Sequence, residues 1–236
     1  MSKFVVVTGT SGTGKGTRIV QLIEYLKKLE KPITLSHQKG VKMVNVGLHF
    51  VKHKLIFVGG YTISNKSGLR SWSSMDMIHS TFGGVEGAKL IIQDLTKYDA
   101  TIVLEGEPMM LSNRWRPKYL HEEMGAEELL RVYFTYPEGD RTPYDDRIIG
   151  RSGKAAGDSG WSRNQSYHKE FITSTHEAEF VPTKCELSMR NYDEGYFYLG
   201  RDILRFVGLS DLEESFINWA DANPMLRNVG GANPLA

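Results

Sequence analysis

Four glycines, a lysine and several hydroxyls crowd one short stretch near the start of the chain: Gly9, Thr10, Ser11, Gly12, Thr13, Gly14, Lys15, Gly16 and Thr17, with Arg18 next. Glycine removes the Cβ from a tight loop, so successive backbone N–H groups can curl around an oxyanion while a following helix aims its N-terminus at the same point. A lysine so placed reaches the outer phosphates of a nucleoside triphosphate, and a hydroxyl beside it reaches Mg²⁺. The strict pattern G-x-x-x-x-G-K-[ST] is met at Gly9, Gly14 and Lys15. It is broken by Gly16, which displaces the hydroxyl to Thr17.

Acids and bases further along offer the remaining parts of a phosphoryl transfer. Glu105 closes the apolar run Thr-Ile-Val-Leu-Glu, where a carboxylate can organise a metal ion and its waters, and Glu107 is a weaker second candidate. Transfer to an alcohol also needs a group that orients the hydroxyl and takes its proton. Asp76, after Trp-Ser-Ser-Met, is the candidate, and the alternative role for it is a helix cap. Arg70, Trp72 and Tyr61 stand near it in sequence, suited to a base or a phosphate. Arg147 and Arg151 are four apart, so on a helical turn they share a face and can converge on developing phosphoryl charge, with Arg141 and Lys154 flanking them. Asp145 and Asp146 are alternative partners for those cations.

Other chemistries find no support. The seven histidines lack metal-ligand spacing, and the one cysteine, Cys185, reads as a small buried or half-buried thiol rather than a nucleophile. Formal net charge is +1, from 29 basic and 28 acidic residues, so no bulk field argues for nucleic acid or a membrane surface. With one cysteine and no apolar run of membrane length, the expectation is a cytoplasmic protein.

These residues must be held by elements legible in the pattern. Phe4 to Val7 predict a strand, the glycine loop follows, and Ile19, Leu22, Ile23, Leu26 and Leu29 predict a helix that Pro32 ends. Residues 33–61 read as short β runs, "GVEGAKLIIQDLTKY" and "PKYLHEEMG" as helices, and "ATIVLEGE" and "ELLRVYFTYP" as central strands. The glycine-rich, charged segment after Pro137 predicts a mobile loop or lid, "EGYFYLG" a last strand, and "RDILRFVG" and "SDLEESFINWADA" two helices. The fold expected is α/β: a three-layer sandwich around a mostly parallel sheet, with a β-rich insert at about 33–81 and an arginine-containing lid at about 138–170. It is one domain over 1–222 with a tail over 223–236. Ligands of such sheets lie at the carboxyl ends of the strands, which gathers Gly9 to Thr17, Glu105 and the residues after Pro137 on one rim.

The loop "GTSGTGKGT" resembles that of the adenylate-kinase-like group of P-loop kinases, G-x-x-G-x-G-K-G-T. The resemblance implies that Lys15 contacts the transferred phosphate and Thr17 lies near the metal, with ATP and Mg²⁺ as the bound species. Past roughly the first thirty residues the likeness to nucleoside monophosphate kinases fades, since "LEGEPMM" stands where their acceptor motif belongs. With "GTSGTGKGTR", the β-rich insert ending near Asp76, and Arg147 with Arg151, the chain most resembles bacteriophage kinases of 5-hydroxymethyluracil in DNA. That resemblance implies a DNA acceptor, with the hydroxymethyl phosphate a leaving group for further thymine hypermodification. The segments "VKHK", "NKSGLRSW" and "NRWRPK" interleave Lys and Arg with Trp, as phosphate contacts and base stacking require. Two alternatives stay open: a kinase of free nucleoside monophosphates or nucleosides, and a nucleotide-binding switch or ATPase.

Overall fold

The computed structural model describes residues 2–10, 12–63, 70–71, 75–106, 115–136, 140–154, 157–179, 182–191 and 197–223. The elements run β1 (Ser2–Gly9), α1 (Lys15–Leu29), β2 (Ile33–Lys39), β3 (Lys42–Phe50), β4 (Leu55–Val58), β5 (Thr62–Ile63), β6 (Arg70–Ser71), α2 (Met75–Thr81) and α3 (Val85–Leu95). There follow β7 (Thr101–Glu105), α4 (Pro117–Met124), β8 (Ala126–Thr135), α5 (Thr142–Ser152), α6 (Asp158–Ala178), β9 (Lys184–Asn191), α7 (Phe197–Phe206) and α8 (Glu213–Ala222).

Seven strands form the main sheet in the order β2-β3-β4-β7-β1-β8-β9. From β4 to β9 every pairing is parallel, and β3 and β2 are added antiparallel at one edge. β1 lies between β7 and β8, so its carboxyl end opens at the crevice where consecutive connections leave to opposite sides. Strands buried on both faces need continuous apolar sequence, and Phe4, Val5, Val6 and Val7 are all fully excluded from solvent. Their side chains alternate between two cores. Val5 and Val7 join the apolar residues of α1, α7 and α8 on one face, while Phe4 and Val6 join those of α2, α3 and α4 on the other.

The structure corrects two expectations. The segment after Pro137 is helical over α5 and α6 rather than a loop: a proline in the first turn opens α5, and Gly153 at φ +73° closes it. Composition hid α6 because its contacts to the sheet are few and partly polar. Phe171 stacks on Tyr133 of β8 with ring centroids 4.2 Å apart, and Arg131 of β8 donates to the Ser174 hydroxyl at 2.7 Å. The last strand is β9, "KCELSMRN", whereas residues 197–200 of the aromatic run open α7. As an edge strand with Glu186 and Leu187 exposed, β9 carries too little apolar alternation to stand out. Of the predicted tail over 223–236, all but Asn223 lies outside the described residues.

Candidate active site

The loop between β1 and α1 is built on backbone angles that only glycine adopts readily. Gly9, Gly12 and Gly14 have φ of +135°, +79° and +79°. At Gly9 space forbids a side chain as well, since a Cβ there would lie 2.1 Å from the Phe134 carbonyl oxygen, and at Gly14 a Cβ would press on Nη1 of Arg18 at 2.8 Å. The loop is anchored to β8 by the Thr10 N–H, which donates to that same Phe134 carbonyl at 3.0 Å.

Lys15 is buried, and its ammonium donates to the carbonyls of Gly9 at 3.1 Å and Thr10 at 2.8 Å. Gly14 caps α1 without a side-chain hydrogen bond, and the first turn of that helix holds no acid. The first N–H groups of a helix need acceptors and carry partial positive charge. A glycine-framed loop that presents them with a buried lysine fits the phosphates of a nucleotide. Thr17, also buried, stands one half-turn beyond Lys15.

Arg18 is engaged with the loop itself. It is almost wholly buried, donates to the Thr13 carbonyl at 2.6 Å, and places its guanidinium 4.7 Å from the centroid of the Phe134 ring. It thereby ties the loop to the ring of Phe134 on β8.

Register brings the acid candidate alongside. Val7 of β1 pairs with Glu105 of β7, and the Glu105 side chain is 6 % exposed. Tyr61 lies within reach of that charge: burial first, and then the Glu105 carboxylate, hold its phenol well above its usual range. Its backbone at φ +26° is strained for a residue with a Cβ, and its hydroxyl is buried without a hydrogen bond among the described residues.

Asp76 sits in the first turn of α2, one residue past its start and half-buried. It is not the N-cap. Three residues on, His79 accepts a hydrogen bond from the Trp115 indole N–H at 3.1 Å, and burial lowers the histidine's pKa. Trp115 is fully buried, so this tryptophan packs the core rather than offering a stacking face.

α5 brings Arg147 to the loop. A Cβ added to Gly12 would lie 3.4 Å from Cβ of Arg147 and 2.8 Å from the Tyr136 hydroxyl, so both residues stand directly over the glycine turn. Arg151 is one helical turn further along α5, its side chain outside the described residues. Arg141 is held by Asp145 at 2.8 Å and by Asp158, which leaves it a structural part. Tyr136 was missed in the sequence because it closes an apolar strand run. Its ring meets Tyr144 of α5 edge-on, centroids 5.7 Å apart, and Tyr144 in turn meets Trp161 of α6 at 5.5 Å. Aromatic packing thus fixes α5 and α6 against the glycine loop.

Of the other candidates, Ser11, Glu107 and Trp72, and the side chain of Arg70, lie outside the described residues. The basic run 52–54 sits in the β3–β4 turn at the amino ends of the parallel strands, away from the rim. There Lys54 pairs with Asp99, and His53 with Glu30 at 2.8 Å. Arg116 is bound to Glu170 at 2.7 Å.

A glycine loop of this geometry at the switch point of an α/β sheet is compatible with the P-loop class of nucleotide-binding proteins. The family profile described as 5-hmdU DNA kinase 2 matches residues 1–183. The 5-hmdU DNA kinase 2 of Salmonella phage ViI is 42% identical over 269 aligned positions, which span 100% of this chain and 88% of that protein. The chain belongs to the 5-hmdU DNA kinase 2 family.

Proposed function

We propose that this chain is an ATP-dependent kinase that phosphorylates the 5-hydroxymethyl group of 5-hydroxymethyluracil in phage DNA. The observation that carries the reading is the phosphate cradle, with Gly9, Gly12 and Gly14 at positive φ and an uncapped, acid-free start to α1, in a chain of a DNA-kinase family. The unit that performs the reaction is a single domain over residues 1–222, a three-layer sandwich. Its β-rich acceptor-side insert spans about 33–81, and its arginine-bearing lid, formed by helices rather than a loop, spans about 138–170.

In this reading the loop from Gly9 to Arg18 holds the nucleotide, with backbone N–H groups and Lys15 on the β- and γ-phosphates and Arg18 supporting the turn. Thr17 and Glu105 are the ligands for Mg²⁺. ATP supplies the phosphoryl group when bound, and the ion neutralises charge on its oxygens. The chain's own residues do the rest. Asp76 orients the hydroxymethyl oxygen and takes its proton as the new O–P bond forms. Arg147, over Gly12, and Arg151, one turn along α5, receive the negative charge that spreads over the equatorial oxygens. A base inside a duplex cannot reach such a crevice, so the target nucleotide turns out of the stack first. The enzyme works in the cytoplasm of an infected cell.

Transfer of label from γ-³²P-ATP tests the reading. The acceptors are duplex DNA containing 5-hydroxymethyluracil, the same duplex with thymine, free 5-hydroxymethyl-2′-deoxyuridine monophosphate, and common nucleoside monophosphates. Label on the modified duplex alone is expected. Label confined to free nucleotides would instead define a nucleotide kinase, and ATP hydrolysis without any labelled acceptor would define an ATPase or switch. Lys15→Ala is expected to reduce transfer by about 10²–10³-fold, the scale for loss of one buried donor to a developing oxyanion. Wild-type turnover in that variant would remove Lys15 from the site.

A further inference from the structure

Charge is segregated along this near-neutral chain. Between Glu30 and Asp76 there is no carboxylate, while seven lysines and arginines fall there: Lys31, Lys39, Lys42, Lys52, Lys54, Lys66 and Arg70. Two of them crown a projecting ribbon. The Gly59 N–H donates to the Val46 carbonyl at 2.9 Å, so Val46 is level with the carboxyl end of β4. β3 therefore runs four residues beyond the rim, from Asn45 back to Lys42, paired throughout with β2 from Ser36 to Lys39. At roughly 3.3 Å per residue the ribbon extends about 13 Å past that level. Its base rests on the helical layer, with the His37 ring 5.6 Å from that of Phe82 and its Nδ1 3.9 Å from an Asp94 oxygen of α3, and its tip is exposed. It leaves from the rim that carries Gly9, Glu105 and Tyr61, because β4, β7 and β1 are parallel. A register shift between Leu35 and Ser36 marks a bulge at its base, which bends and twists a strand pair.

The tip has the chemistry of a surface that meets an anion. Lys39 and Lys42 are direct cross-strand partners, and neither has an ion pair among the described residues. Like charges in that position repel each other, and an anion between them removes the cost. Gly40, at φ +58°, turns the chain between them, with Nε2 of Gln38 donating to its carbonyl at 2.9 Å. Val41 is 100 % and Met43 65 % exposed, an apolar point flanked by two cations. Proteins that open or bend a duplex commonly press such an apolar side chain into a groove while lysines hold the adjacent phosphates.

We propose that the β2–β3 ribbon is the duplex-binding arm of this chain, with Lys39 and Lys42 on the phosphodiester backbone beside the target base and Val41 pressed into the groove. DNA as the partner rests on the kinase reading above; the arm itself rests on the register, the exposure and the charge. Edge-strand lysines also block unwanted strand pairing, a role that makes no demand on DNA affinity.

The test is the affinity of wild type, Lys39→Ala/Lys42→Ala and Val41→Ser for a 5-hydroxymethyluracil duplex across a salt series, with label transfer, thermal midpoint and sedimentation measured alongside. The double variant is expected to bind at least tenfold more weakly. Its slope of log affinity against log salt should shrink by about 1.8, or about 0.9 for each phosphate that a lysine no longer neutralises, with the KM for ATP and the thermal midpoint unchanged. Val41→Ser is expected to weaken binding with no change of slope. Wild-type affinity and slope in the double variant overturn the arm, as does a wild-type protein that binds no duplex. A concentration-dependent dimer lost in Val41→Ser with unchanged duplex affinity also overturns it, since the tip would then join two copies of the chain. If wild type binds duplex but transfers no label to it, the kinase reading fails while the arm is still judged by the binding slope.

Discussion

Single atoms decide much of the glycine loop. The Cβ that Gly9→Ala introduces meets the Phe134 carbonyl at 2.1 Å, and the backbone there sits at φ +135°. Neither β1 nor β8 can move aside without breaking the parallel ladder between them. Gly9→Ala is therefore expected to lower stability by more than about 3 kcal/mol, as strain and overpacking add, and to yield little soluble protein. A well-folded variant with wild-type melting would show that the loop relaxes. Tyr61 predicts the opposite sign. Its hydroxyl is buried with no hydrogen bond among the described residues, so Tyr61→Phe removes a desolvated polar group and keeps the ring. Its thermal midpoint should stay level or rise, by the equivalent of up to about 1 kcal/mol, and a clear fall would mean that the hydroxyl is bonded in solution. Lys15 and Thr17 were legible in the sequence because glycine spacing fixes the loop around them, and Tyr61 stood out by its place near Asp76, whereas the nearness of Tyr61 to Glu105 and the place of Tyr136 over Gly12 come from packing that no local pattern encodes.

On the second face, a buried polar contact joins α2 to the segment that opens α4. His79 of α2 accepts from the Trp115 indole just before α4, so its Nε2 must be unprotonated. Burial lowers its pKa from 6.5. The unfolded chain therefore takes up the proton first, and the stability of this contact, complete above about 6.5, is lost as pH falls through the lower folded value. Thermal midpoints should be flat above neutrality and decline below it. His79→Gln keeps an acceptor for Trp115 and removes the titration, so its decline should be shallower. The remainder is expected from His49, whose pKa burial also lowers. Equal acid slopes in both proteins would exclude His79. At this scale the sequence was most informative where one apolar stripe met one face, as in α1, and least where polar contacts did the packing, as in α6 and β9.

The molecule as a whole is larger than the region its family profile covers. Residues 1–183 stop short of β9, α7 and α8. Yet Leu199, Ile203, Leu204, Phe216 and Ala220 are packed in the same core as Ile19, Leu22, Ile23 and Leu26 of α1. Each of the four larger side chains contributes about 1.5–3 kcal/mol when buried, so losing them, with β9 off the edge of β8, removes an amount comparable to the whole stability of an ordinary domain. A fragment ending at residue 183 is expected to be insoluble or to melt without cooperativity, while one ending at 223 folds. A cooperative transition in the shorter fragment would confine the domain to the profile region.

Local sequence was enough for the phosphate loop, the central strands and the first helix, because in each the chemistry is set by neighbours a few residues apart: glycine freedom, apolar runs, a 3.6-residue stripe. What stands opposite them came from the packed fold. Parallel register set Glu105 beside β1, the packing of Tyr136 on Tyr144 laid Arg147 over Gly12, and the core took in Trp115, which an exposed reading would have assigned to stacking. Strand pairing also carried the β2–β3 tip past the rim. Those placements depend on contacts between residues tens of positions apart, and free energy of that kind leaves no periodicity in the chain to be read.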